Sequence, residues 1–208
     1  PRVVMGKRRD ERPRHARLVI QMSQSPIERA VAAANAKPIE GAAKVRLEQS
    51  VPFGLAGTIH VLELGNGLRV LLLADRTAPV IAYSTWFRVG SRHEKLGKTG
   101  LAHLFEHLMF NETENLKAGE LDRKLEEAGA ETNAATWLDW TYYYEAVPRD
   151  RIGLVIDLEA DRMARLVLRD PQVKSEKEVV ANERRYRVDD DVEGIASELL
   201  YKTAFTKH

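Results

Sequence analysis

The sequence predicts an α+β domain, a mostly antiparallel sheet backed by helices. Three observations point there. Alternating apolar segments come in pairs joined by short turns, which suits antiparallel strands. The order along the chain is strands, helices, strands, helices, without the strict βαβα alternation of a parallel fold. The 208 residues are 44% hydrophobic and 30% charged, a balance that suits a chain with a sizeable core.

Each element has its own signal. Residues 1–50 are poor in strand patterns, but Ser25 and Pro26 mark the N-cap and first position of a short helix to Ala36. The folded unit is expected to begin near Gly54. Thr58 to Leu64 alternates, Gly65-Asn66-Gly67 turns, and Leu68 to Leu73 returns, a hairpin signal. Val80 to Val89 is β-branched and aromatic and ends at Gly90-Ser91. Residues 100–110 switch to a helical period, with Thr99 as the expected cap. A second helix runs from Gly119 to Ala128, and Gly129 stops it. Glu131 to Trp137 and Thr141 to Val147 read as strands joined by Leu138-Asp139-Trp140. Pro148 is expected to open a helix to Leu168, and Pro171 to break the chain. Ser175 and Glu178 suggest a capping box for a helix to Val188, and a last helix spans Glu193 to Ala204.

Composition removes several function classes. Without cysteine there is no disulfide scaffold, Cys-ligated zinc finger, iron–sulfur site or cysteine nucleophile. No run approaches the ~18 apolar residues of a membrane span. A net charge of +1 argues against a nucleic-acid binder. The charge is unevenly placed: residues 1–20 hold seven basic and two acidic residues, leaving 25 basic and 29 acidic in the remainder. Residues 1–50 therefore read as a basic, flexible N-terminal extension before a domain spanning 51–208. No signal-peptide core is visible in this stretch, and the compartment is left open between cytoplasm and periplasm.

The chemistry concentrates in Gly100-Leu-Ala-His103-Leu-Phe-Glu106-His107-Leu-Met-Phe110. On a helix, His103 and His107 lie one turn apart on one face, so both imidazoles can reach one metal ion. Glu106 shares that face and can take a proton from a water held there. Leu101, Leu104, Phe105 and Leu108 would anchor the other face in the core. A third donor is needed. The segment from Ser175 to Arg184 offers Glu176, Glu178 and Glu183, and spacing alone does not choose among them. Trp137, Trp140 and Tyr142 to Tyr144 read as sheet packing, and His60 and His15 as lone histidines.

Gly90-Ser-Arg-His-Glu94 followed by the His-x-x-Glu-His helix resembles the inverted-zincin motif of the pitrilysin/insulinase (M16) metallopeptidases. The likeness continues through Glu127 to Thr136, Thr141 to Pro148, Glu159 to Met163 and Glu178 to Glu183, covering about residues 57–208. Glu112 departs from it, standing where a small residue is usual. The resemblance implies an M16-type metallohydrolase half-domain and a zinc-dependent endopeptidase. It implies one Zn2+ per chain, held by His103, His107 and Glu183, with Glu106 as catalytic base and Glu176 supporting the site. It also implies that the strand Asn133-Ala134-Ala135 offers its edge to a peptide substrate. Family members pair two related halves around the substrate. The resemblance therefore implies a second M16-like half or subunit, or self-association, and a domain that continues past His208. A non-catalytic M16-like subunit is the alternative.

Overall fold

In a computed structural model, residues 24–37 and 44–205 are described. The basic stretch 1–20 and the C-terminal Lys207-His208 lie outside the described residues. Two compact units divide between Arg76 and Thr77.

The first unit holds helix α1 (Pro26–Ala36) and a three-stranded antiparallel sheet of β1 (Val45–Pro52), β2 (Thr58–Leu64) and β3 (Arg69–Leu73), in the order β1-β2-β3. Ser25 caps α1 as expected, and Glu28 completes a capping box: its carboxylate accepts from Ser25 N at 2.7 Å while Ser25 Oγ accepts from Glu28 N at 3.3 Å. Asn35 ties α1 to the sheet through both the N–H and the carbonyl of Val45. The hairpin between β2 and β3 turns at Gly67, whose φ of 88° favours glycine. β1 has no clear sequence signal. It is a mostly exposed edge strand, and a register shift between Leu47 and Gln49 breaks its alternation. His60 on β2 has a partner after all, Ser50 Oγ at 2.8 Å.

The second unit contains β4 (Val80–Phe87), α2 (Leu101–Leu108), α3 (Glu120–Glu127), β5 (Glu131–Thr136), β6 (Thr141–Pro148), α4 (Ile152–Arg165), α5 (Asp170–Arg184) and α6 (Val192–Ala204). The strands form an antiparallel sheet in the order β4-β6-β5. The expected α+β class and antiparallel pairing hold, with the strands in two three-stranded sheets. β6 is central, and its alternate residues Thr141, Tyr143, Glu145 and Val147 are buried. Leu116, Leu121, Leu125, Val147, Val155 and Leu158 form the core. On the sheet, Trp86 stacks on Tyr142 at 4.6 Å and meets Trp140 at 5.2 Å, so these aromatics pack on one another.

Three helix starts differ from expectation. Gly100, not Thr99, occupies the N-cap of α2, and the distant carboxylate of Glu94 accepts from Gly100 N at 2.8 Å and Ala102 N at 2.7 Å. Pro148 closes β6, and α4 begins at Ile152 after a tight 3₁₀ turn. Pro171 sits in the first turn of α5, where a missing N–H costs nothing, so it starts a helix and leaves Ser175 in the interior.

Beneath β6 lies a buried charge cluster. Arg162 reaches Glu159 at 2.5 Å and Glu145 at 3.3 Å, and its guanidinium lies 4.3 Å from the Tyr143 ring centre. Thr85 donates to Glu159 at 2.9 Å. One buried cation faces two carboxylates. Burial first, then the neighbouring Glu159, pushes the Glu145 carboxyl up to about 8.

Candidate metal centre

α2 is short and amphipathic. Ala102, Leu104 and Leu108 are buried, whereas Leu101 and Phe105 are half exposed, so the anchoring stripe is narrower than the sequence pattern suggests. The opposite side carries His103, Glu106 and His107 toward α5 and β5. The two rings stand nearly perpendicular, with centroids 4.8 Å apart.

α5 brings the third donor. Glu183 Oε2 is 3.4 Å from His103 Nε2 and 3.3 Å from His107 Nε2, and the two Nε2 atoms are 3.3 Å apart. Among the described residues this is the one group of three His or acidic side chains whose donor atoms converge in this way. A tetrahedral zinc with bonds of about 2.0–2.1 Å has ligand–ligand edges of about 3.3–3.4 Å. The three observed separations match one face of such a tetrahedron, so the residues fit a divalent cation with its fourth position open. Glu178 is exposed and takes no part.

The surrounding shell is ordered by hydrogen bonds. Glu176 Oε2 stands 3.6 Å from His107 Nδ1, the far side of the ring from Glu183, and Asn111 donates to Glu176 Oε1 at 3.3 Å. Thr136 Oγ1 on β5 donates to Glu106 Oε2. Thr136 Oγ1 is also 3.3 Å from Thr141 Oγ1, which donates to the Val89 carbonyl at 2.9 Å. The Gly90 segment is pinned beside them: Ser91 N and Arg92 N donate to the carbonyls of Trp137 and Leu138 at 3.0 and 2.9 Å. Sequence reading missed the parts played by Asn111, Thr136 and Glu94. Asn111 stands just past the end of α2, in the turn that follows it, where no local spacing rule marks it.

A cleft of about 430 Å³ opens beside the histidines, lined by Glu106, His107, Phe110, Asp122, Asn133 and Glu176 among others. Asn133 and Ala134 both border it, while Ala135 is not among its lining. Among the described residues β5 is an edge strand, paired only with β6. Asn133 Oδ1 accepts from Ala134 N at 2.8 Å, so a side chain covers that edge N–H. Next to the cleft, burial raises the Tyr143 phenol well above its ordinary range, with Arg162 opposing.

Comparison with known proteins identifies the family. Residues 69–208, more than half of the chain, match the model of the insulinase family, peptidase family M16. The chain is 37% identical over 146 residues to the zinc protease PqqE of Helicobacter pylori, covering 70% of this chain and 33% of that protein. It is 32% identical over 162 residues to cytochrome b-c1 complex subunit 1 of Rattus norvegicus, covering 77% and 32%. A crystal structure of a protease from Helicobacter pylori superposes with a TM-score of 0.64 at 34% identity, covering 72% of this chain and 34% of that one. The chain thus spans about a third of the length of the curated relatives it matches. With the two-histidine helix, the distal glutamate and the family match in agreement, the chain belongs to the M16 insulinase family of peptidases.

Proposed function

We propose that this chain is the zinc-bearing part of an endopeptidase that cleaves peptides or unfolded polypeptides. The observation that carries this reading is the triangle of His103 Nε2, His107 Nε2 and Glu183 Oε2, with edges of 3.3–3.4 Å. His103, His107 and Glu183 would hold one zinc. Bound there, zinc supplies Lewis-acid polarisation of a carbonyl and a more acidic water. The protein's own groups do the rest. Glu106 accepts the attacking water's proton and returns it to the leaving amine. Thr136 holds one Glu106 oxygen, which orients the other. Glu176, fixed by Asn111, holds His107 so that Nε2 faces the metal position. The free edge of β5 at Asn133, Ala134 and Ala135 aligns the peptide by β-augmentation, and the Asn133 side chain gives up Ala134 N to the substrate carbonyl.

Because the chain spans a third of its relatives, we assign it a second M16-like half or subunit that completes the cleft. The residues of the site all lie in the unit from Thr77 onward, which is the zinc-bearing part, while β1, β2 and β3 belong to the other unit. A non-catalytic M16-like subunit is the competing reading, and the likeness to cytochrome b-c1 complex subunit 1 favours it. Elemental analysis of the full-length protein, with an internally quenched peptide panel, separates the two. Near one zinc per chain with cleavage supports the peptidase. Stoichiometric absence of zinc, or zinc without cleavage of any peptide, supports the subunit.

A further inference from the structure

Glu183 has two carboxylate oxygens, and they face different partners. Oε2 faces both histidines, while Oε1 lies 3.1 Å from Arg187 Nε. We infer that Arg187 is a positioning residue that reserves Oε1 of Glu183 and so limits this carboxylate to a single bond to the metal. The inference rests on the metal-site reading above.

The backbone around Arg187 is built to hold it there. α5 passes directly into a π-helical turn, Arg185–Asp189, closed by the Asp190 N to Arg185 carbonyl hydrogen bond at 2.8 Å. α6 then packs back on that turn at Gly194. A Cβ at Gly194 would lie 2.2 Å from the Arg187 carbonyl oxygen, so only glycine allows the approach. Arg184 ties the turn to α6, reaching Asp189 at 3.5 Å and Glu198 at 2.9 Å. The Arg187 side chain is itself 72% exposed. Its ion pair with Glu183 therefore contributes little to stability. Its effect is on geometry: a carboxylate with both oxygens free can bind the metal through both, which crowds the position that a catalytic site keeps open and makes the site five-coordinate with the water in place.

Affinity alone would not report this effect, because the guanidinium also repels a dication. Coordination number does. The test loads the full-length protein with Co2+ and records its visible spectrum, which is intense for four-coordinate cobalt and weak for five-coordinate. Gln is informative because its Nε2 is as many bonds from the backbone as Arg Nε. Arg187→Gln keeps the donor without the charge, and Arg187→Met removes both at similar length. We expect Arg187→Met to lose band intensity and Arg187→Gln to retain the wild-type band, with unchanged far-UV circular dichroism in each. A wild-type band in Arg187→Met overturns the inference, as does equal loss in both variants, which would assign the effect to charge. Wild-type protein that takes up no cobalt overturns the metal reading itself, and the role of Arg187 with it.

Discussion

Glu183 Oε2 lies 3.3 Å from His107 Nε2, although 76 positions separate the two residues. Packing of α5 across α2 creates this approach, and it sets three lone-pair atoms at mutual distances suited to a shared cation. Removing one ligand should therefore cost most of the binding. His103→Ala and Glu183→Gln are each expected to lose zinc under mild dialysis, while wild type retains one per chain by elemental analysis. Zinc should also raise the melting temperature, by about 2.7 kcal/mol of stabilisation at a hundredfold excess over Kd. Full zinc retention in both variants would remove Glu183 and His103 from the ligand set.

Glu106→Gln separates chemistry from binding. The amide keeps the size of the side chain and can still meet Thr136, but it cannot accept a water's proton. In the full-length protein this variant should retain zinc and its melting temperature while kcat falls by about 10²–10⁴-fold. Near-wild-type kcat with any peptide of the panel would show that the proton goes elsewhere.

These two tests touch residues that differ in how far sequence alone reveals them. His103, Glu106 and His107 share one helix, so their spacing alone fixes a common face. Glu183 is different. Three glutamates of α5 were equal candidates by spacing, and only the packing of α5 on α2 distinguishes Glu183 from the exposed Glu178. Family resemblance supplied that choice before the geometry did. Thr136 was visible as part of a motif, but its bond to Glu106 requires β5 to run beside α2. The fold shows the same division. β2, β3, β5 and β6 announce themselves by alternation and turn residues. β1 does not, because it is a bulged, exposed edge strand whose partners lie further along the chain. Glu94 caps α2 from six residues before Gly100, outside the local window in which caps are sought. Proline ends helices from within and starts them from the first turn, so Pro171 alone does not say which of the two it does.

The buried cluster predicts an unusual pH dependence of stability. Glu145 is raised from its ordinary 4.5 to about 8 by burial and by Glu159, so the folded state holds a proton that the unfolded state releases. The stability tied to this proton is full below pH 4.5, falls as pH rises, and is lost above 8. Glu145→Gln keeps the neutral form at all pH values. Its stability relative to wild type should therefore rise between pH 5 and 8, by an amount on the order of a few kcal/mol. Urea melts of both proteins at pH 5, 6.5 and 8 provide the check. A difference that stays constant over this range would mean that Glu145 is ionised in the folded protein throughout.

Gly90 should matter for a reason unrelated to backbone freedom. Its φ is −155°, which any residue adopts, but a Cβ there would lie 2.2 Å from the Trp137 carbonyl oxygen and 2.7 Å from Leu138 backbone atoms. Backbone cannot swing aside as a flexible side chain does, so Gly90→Ala must push the Trp137–Leu138 segment away from Ser91 and Arg92. Overpacking of this kind costs about 1–3 kcal/mol, which lowers the melting temperature by about 2–4 °C per kcal/mol in a chain of this size. The displaced segment directly follows Thr136, whose hydroxyl holds Glu106, whereas the zinc donors stand on α2 and α5. Gly90→Ala is accordingly expected to keep its zinc while losing kcat more than KM, since the base is misplaced and the metal is not. Zinc content, a thermal melt and steady-state kinetics on the full-length variant test this together. Zinc lost in step with kcat would show that the Gly90 contact supports the whole site, and unchanged kcat would show that Thr136 does not transmit the displacement to Glu106.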